Sequence, residues 1–472
     1  MATFNSAGSG NANADATWTE AGQPTDADNA IIASGHTVTL TASEAWRSTR
    51  IIGTIAGGGQ TLTLSGASSN KPFDNDGTIT GDLNLVITNT GAQQDGTVVD
   101  MTGSSRNVND LTLNLANGTT ANKTVTLLGA TTLDGNLTIT SGTLDTDSSS
   151  NYALTVTGDC DVLGTLTLNG STVALGALRT QSGAVMSLDA DGTLDLTTGS
   201  TFGGTEGANY SWRNEDGTSD INLAGTLTVS GGSYFEPRTA PTYASVVNNW
   251  VWNTGAYWVG IITTGTLVVN ATKTLQTYGG SGDITVTGDV TVNGTFKVLS
   301  GAASTGTMTF GSLTIASGGW YSATSGTTTI TSETSGTGRT LSNAGTFTHN
   351  KGLVKIDLAS PTTTQTQNGP FWDLEQVDAS TDFLAEAALT IYNNFTFVGD
   401  FDYTNNSHHM VVHGNMIIGD GSTTTRYCAQ SAYTNNLTVH GTLEITNGAT
   451  ADLGTHGTVN LGGIRNTGGS IS

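Results

Sequence analysis

Asp74 and Asp76, and again Asp145 and Asp147, stand two residues apart, the spacing that brings two carboxyl groups to one face of an extended strand. Two carboxyls about 5–9.5 Å apart can divide the acid and base or nucleophile roles of glycoside hydrolysis. Both pairs lie beside Gly, Ser or Asn in turn-rich sequence, where aspartate also caps backbone groups, so neither is assigned a catalytic role. No G-x-S-x-G elbow, P-loop, H-E-x-x-H motif or complete EF-hand loop occurs. No catalytic residue follows from the sequence, and the chain reads more readily as a non-enzyme.

Metal chemistry has equally little footing. His36 sits in a turn without a nearby His or Cys and is read as a structural imidazole. His408 and His409 project to opposite faces of a strand, which makes them a poor shared site, and together with His413 they read as surface or junction histidines. Cys160 and Cys428 form neither a Cys-x-x-Cys pair nor a disulfide framework. No metal and no cofactor is predicted.

The residues best suited to recognition are aromatic. Tyr210, Trp212, Tyr234, Trp250, Trp252, Tyr257 and Trp258 crowd one tract, with Phe202, Phe235 and Tyr243 among them. Such rings stack on sugar faces, seal a loop against a core, or form a subunit contact. Glu206, Glu215, Asp216 and Glu236 add polar groups that could orient a ligand. A second tract holds Phe371, Trp372, Phe383, Tyr392, Phe395, Phe397, Phe401 and Tyr403; the spacing of Phe395 and Phe397 is that of core-facing strand residues.

The elements that must carry these residues are short strands. The chain has 63 glycines but only 15 Lys plus Arg in 472 residues, and pairs of Leu, Val or Ile at alternate positions are closed again and again by Gly or Asn. The clearest unit, Leu154–Gly170 (LTVTGDCDVLGTLTLNG), returns as Ile284–Val298 (ITVTGDVTVNGTFKV). Gly158 and Gly164, like Gly288 and Gly294, predict strand, turn, strand, turn, strand, the glycines supplying turn angles. Related fragments at 133–144, 221–232, 411–418 and 437–449 spread the pattern along the chain.

This is the pattern of a parallel β-helix, in which each coil pairs with the coils above and below while inward Leu, Ile and Val stack into one core. At about 20–25 residues and roughly 4.8 Å per coil, an elongated body on the order of 100 Å follows. Successive antiparallel sandwiches are the competing architecture, but they call for longer differentiated loops. Residues 1–50 read as an N-terminal cap built on Trp18, Pro24 and Trp46. Solenoid follows over 51–200, an aromatic-rich insertion or junction over 201–265, solenoid over 266–370, a second aromatic junction over 371–410, and C-terminal coils over 411–472.

Composition narrows the partners. Hydrophobic residues make up 36% and charged residues 11%, below the roughly 45–50% and 25% of ordinary globular chains, which points to shallow repeated burial. A net charge of -23 repels nucleic acid and anionic membrane, and the bases are scattered singly. Met1–Gly10 lacks a basic region followed by an apolar run, and no segment approaches 18 uninterrupted apolar residues, so neither a secretory signal nor a membrane span is predicted. Exposure outside a cell would then follow from virion assembly and lysis, or from a signal already removed. Threonine pairs such as Thr61/Thr63 and Thr124/Thr126 are too intermittent for an ice-binding plane.

Trp18, Pro24, Asp26, Asp28 and the Ile31–Leu40 segment, with the glycine-closed coils at 154–170 and 437–449, resemble β-helical structural proteins of bacteriophage virions. The resemblance implies a tail appendage, spike or head-decoration protein, homotrimeric, in contact with other virion proteins and displayed on the virion surface or extracellularly. It also implies attachment, with cell-surface glycan as the ligand. Unlike enzymatic spikes, this chain shows no catalytic constellation. Similar coils occur in polysaccharide depolymerases and secreted adhesins, which stand as the alternative reading.

Overall fold

In the computed structural model the chain is described over residues 1–66, 71–88, 97–100, 105–116, 123–181, 183–200, 202, 210–214, 220–231, 234–236, 246–252, 257–258, 262–277, 284–298, 305–334, 338–358, 364–366, 369–377, 383–385, 388–398, 401–403, 409–420, 425–429, 435–453 and 456–472. Within these, backbone alone is described at 97–100, 105–107, 210, 214, 220–222, 234–236, 246–252, 257–258, 262–265, 276–277, 298, 364–366, 383–385, 401–403, 425–429, 435 and 456. The fold is an all-β parallel β-solenoid, as the alternation and the glycine spacing predict. It forms two compact units, Met1–Asn248 and Asn249–Ser472, and the division falls inside the first aromatic tract.

In the N-terminal unit each strand pairs in parallel with its counterpart one coil away. The strand Leu154–Val162 matches Leu137 to Cys160 on one side and Cys160 to Leu178 on the other. Leu154, Val156, Cys160 and Val162 point inward and are fully or almost fully buried, while Thr155, Asp159 and Asp161 face outward. Burying such apolar side chains contributes roughly 1.5–3 kcal/mol each, repeated coil after coil. Cys160 thus takes an inward position in the row that its counterpart Val290 fills in the other unit.

The local prediction needs one correction. Leu154–Val162 is a single strand that bulges between Val156 and Asp159 against its neighbour, so Gly158 does not end a strand. Neither Gly158 nor Gly164 adopts a positive φ. They are required by close approach instead: a Cβ on Gly158 would strike the Asn136 amide oxygen and the Gly135 carbonyl, and one on Gly164 the Gly142 carbonyl. Gly35, with φ +79° and open space around it, is the kind of turn glycine that sequence reasoning assumed.

At the start of this unit Phe4, Trp18 and Trp46 are buried together. The Trp18 and Trp46 rings meet edge to face at 5.8 Å, and Phe4 meets Trp18 at 6.3 Å. Trp18 donates its indole N–H to the Ala12 carbonyl at 2.8 Å, fixed by a short 3-10 turn over Asp15–Thr17. Ser6 and Trp18 also form an antiparallel bridge. His36 is held by Ser6, whose hydroxyl lies 2.8 Å from Nδ1.

In the C-terminal unit Ile284–Val292 repeats the inward-outward order of Leu154–Val162 position by position. Its core contains a column of rings: Phe296 packs on Tyr321 at 5.3 Å, Tyr321 on Phe347 at 5.6 Å, and Phe347 on Phe371 at 5.8 Å. Phe395 and Phe397 are fully buried, as their spacing predicts, and so is Phe371. Strands continue in parallel register through this tract, from Pro370–Phe371 to Leu389–Ile391 to His409–Val412 to Asn435–Ile445. Because successive strand residues alternate in and out, the residue following each buried ring or aliphatic is carried to the outer surface.

Candidate functional site

The sequence-selected aromatics separate into two groups. Trp212 is a core residue, only 1% exposed, with its indole N–H donated to the Thr180 hydroxyl at 3.1 Å and its backbone paired with Leu178. Burial accounts for that tryptophan. Tyr210, Tyr234, Trp250, Trp252, Tyr257 and Trp258 lie on strands, and the backbone register sets Tyr210 opposite Tyr234 and Tyr257 opposite Gln276. Their side chains, like His408 and Tyr243, lie outside the described residues.

A second set of rings, on the outside of the C-terminal unit, forms a continuous row. Ile391 pairs with Val412 and Val412 with Val439, so the next residues, Tyr392, His413 and His440, fall on adjacent coils. Tyr392 and His413 stack at 5.6 Å and 6° from parallel; His413 and His440 stack at 5.0 Å and 7°. The parallel-strand spacing of about 4.7–4.9 Å sets this separation. His349 extends the row, 5.4 Å from Tyr392 and 5.7 Å from Trp372. Tyr392 is 45% exposed, and His413 and His440 are exposed as well, while His349 and Trp372 are half-buried.

The upper end of the row is held by a turn that the backbone does not adopt cheaply. Asn350 and Lys351 have φ of 45° and 63°, two successive non-glycine residues in the left-handed region. The Asn350 amide secures the turn by donating to the Ser322 hydroxyl at 2.9 Å and the Ala323 carbonyl at 2.7 Å. This conformation puts the Lys351 ammonium over the Trp372 ring, 5.5 Å from its centre, within cation–π range. The Lys351 backbone N–H donates to His349 Nδ1 at 3.0 Å. Burial, and secondarily the Lys351 charge, hold the His349 pKa below its ordinary value of 6.5, which favours the neutral ring, and because Nδ1 accepts from Lys351 the neutral ring carries its proton on Nε2.

Close in sequence to the rings runs a ladder of side-chain oxygens, one carboxylate and two amides. Asn394 N–H donates to Asp373 Oδ1 at 2.8 Å, Asn415 N–H to Asn394 Oδ1 at 3.0 Å, and Thr442 N–H to Asn415 Oδ1 at 2.9 Å. Each coil thus satisfies a backbone donor of the next at the corner where the strand turns. The ladder fixes the coil register that aligns the rings. Together these parts make a rigid outer surface in which the stacked rings cover each other's faces and turn their edges outward, with an imidazole or phenol polar atom on each rung, suited to hydrogen bonding and edge contacts along an extended polymer.

The carboxylate pairs weighed for hydrolysis are occupied structurally. Arg50 reaches Asp74 at 3.5 Å and Asp76 at 3.1 Å, with Lys71 also near Asp74 at 3.7 Å. Asp145 accepts from the Asn169 amide and from Asp147 N–H, and Asp147, at φ 70°, accepts from Ser149 N–H. Among the described residues there is no group of three or more His, Cys, Asp or Glu placed to hold a metal ion, and no helix is long and apolar enough to cross a membrane.

The sequence places Trp372 and Tyr392 in the second aromatic tract without setting them apart from its core-facing Phe395 and Phe397, groups His413 with His408 and His409, and does not single out His349, Lys351 or His440. A signal was present in the fragments IYNN, VVHG and TVHG: in each a ring follows the last inward aliphatic and precedes the turn Asn or Gly. Compared with protein-family models, with curated proteins and with solved structures, the chain gives no match.

Proposed function

We propose that the chain is a non-enzymatic attachment scaffold whose C-terminal unit binds an extended surface polysaccharide along the row from Trp372 to His440. The observation that carries this reading is the exposed, near-parallel stack of Tyr392, His413 and His440 on consecutive coils. Rings that only fill a core are buried, as Phe371 and Phe395 are; these stand outside it on a backbone locked by the amide ladder. A rigid row loses little conformational freedom on binding, which favours weak contacts repeated along a polymer.

The engaged carboxylate pairs support binding over turnover. The sequence resemblance supplies the setting, a homotrimeric virion appendage or decoration protein in contact with other virion proteins, and the alternative setting is a secreted adhesin. In an oligomer, simultaneous engagement of several rows raises avidity by about 10²–10⁴.

The test is retention of the purified protein on a panel of bacterial surface polysaccharides and on intact cells, compared with a Tyr392→Ala/His413→Ala/His440→Ala variant. Loss of retention with unchanged circular dichroism and oligomer mass supports the proposal. Equal retention of both proteins contradicts it.

A further inference from the structure

The N-terminal unit carries a separate built cavity on its outer face. It measures about 250 Å³ and is lined by Asn136, Thr138, Asp159, Asp161, Arg179 and Phe202. Register explains the grouping: Thr138 pairs with Asp161 and Asp161 with Arg179, one outward column across three coils. Asn136 and Asp159 form the adjacent column, joined by the Asp159 N–H donated to Asn136 Oδ1 at 2.8 Å.

The floor is rigid. Arg179 grips both Asp161 oxygens, Nε donating to Oδ1 at 3.0 Å and Nη2 to Oδ2, and the Gln181 amide donates to the same two oxygens at 2.7 and 2.9 Å. Phe202 lies over the guanidinium, 5.7 Å from ring centre to Cζ. It does so from φ 46°, a conformation that is costly for a bulky residue. The conformation is held by a relay in which Phe202 N–H donates to Ser200 Oγ at 3.2 Å and Ser200 donates to Asp159 Oδ2 at 2.7 Å. A strained aromatic wedge is thus tied at one end to Asp159 and rests at the other on Arg179.

The remaining polar atoms define the ligand. Among the described residues, Asp159 Oδ1, the Asn136 side-chain N–H₂ and the Thr138 hydroxyl have no protein partner. They are an acceptor, a donor and a group that is both, the set that pairs with vicinal hydroxyls. Two carboxylates against one guanidinium leave the lining net negative, which disfavours phosphate, sulfate and uronate ligands. The apolar ring of Phe202 faces the same space, and the volume falls below the roughly 300–1,000 Å³ of sites for drug-sized ligands, enough for one ring rather than a chain.

We propose that this cavity binds a single neutral pyranose unit, with Phe202 against its C–H face and Asp159, Asn136 and Thr138 on its hydroxyls. The inference does not rest on the polysaccharide row of the C-terminal unit, and the two fail separately. The test is saturation-transfer difference NMR on the full chain with the methyl glycosides of glucose, galactose, mannose and N-acetylglucosamine, and with methyl glucuronide as the anionic control.

The expected result is transfer to at least one neutral glycoside with Kd on the order of 1 mM and weaker transfer to the glucuronide. In Asp159→Asn the remaining amide oxygen stays with the Ser200 hydroxyl and an N–H₂ replaces the free carboxylate oxygen, so the charged acceptor is lost and binding weakens roughly tenfold, the size of one charge-assisted hydrogen bond. Phe202→Gly relieves the backbone strain and removes the platform, so it abolishes transfer while leaving the fold at least as stable. The Tyr392→Ala/His413→Ala/His440→Ala variant binds the glycoside normally. Absence of transfer to every neutral glycoside, transfer that survives both cavity variants, or stronger binding of the glucuronide overturns the inference.

Discussion

The imidazole of His413 lies 5.0 Å from that of His440, within 7° of parallel, although the two residues belong to different coils. Exposed ring pairs of this kind contribute energy only if their geometry is kept in solution. A double-mutant cycle with His413→Ala, His440→Ala and the double variant, read by urea unfolding, is expected to give a favourable coupling of about 0.5 kcal/mol, the low end for aromatic pairs. Strict additivity would mean that the rings do not stack.

The inward face of each coil was legible because it is written locally: Leu154, Val156 and Val162 alternate, and so do Ile284, Val286, Val290 and Val292. The ring row was not legible as a site because Trp372, Tyr392, His413 and His440 come from coils of unequal length, so no fixed sequence period links them. The pairing of Phe371 with Ile391, of Ile391 with Val412 and of Val412 with Val439 aligns them. The cavity of the N-terminal unit was hidden for the same reason, since Asn136, Asp159 and Phe202 meet across coils and a turn. Glycine was read for its turn angles, whereas at Gly158 and Gly164 it serves the close approach of neighbouring coils.

That distinction predicts opposite responses to one substitution. Gly35→Asn keeps a residue tolerant of positive φ in open space and should change stability by less than about 1 kcal/mol. Gly164→Asn drives a side chain toward the Gly142 carbonyl and should cost about 1–3 kcal/mol or more. Urea midpoints of the two variants check the contrast, and equal losses would refute the close-approach role.

Cys160 is fully buried, and burial, with the neighbouring Asp161 and Asp159 charges adding to it, pushes its thiol pKa far above the ordinary value. In a Cys428→Ser background the native protein should resist thiol reagents at neutral pH, with labelling that follows global unfolding as denaturant is raised. Rapid labelling without denaturant would place Cys160 outside the core.

His349 gives a pH signature. Its folded pKa lies below 6.5, so the unfolded chain binds the proton more tightly. Its contribution is therefore fully present above pH 6.5 and is lost as pH falls from there through the folded pKa. Imidazole NMR should show His349 titrating below 6.5, and Lys351→Met should recover only the smaller part of the depression, because burial is the larger cause. A titration at or above 6.5 would contradict the packed turn.

The most direct test of the attachment row is protection of its imidazoles from diethyl pyrocarbonate, read peptide by peptide by mass spectrometry, with and without a surface polysaccharide that retains the protein. The row predicts that His413 and His440 are protected together while exposed His409 stays reactive. Unchanged reactivity of His413 and His440 under saturating polysaccharide, or failure of every polysaccharide to retain the protein, would contradict it.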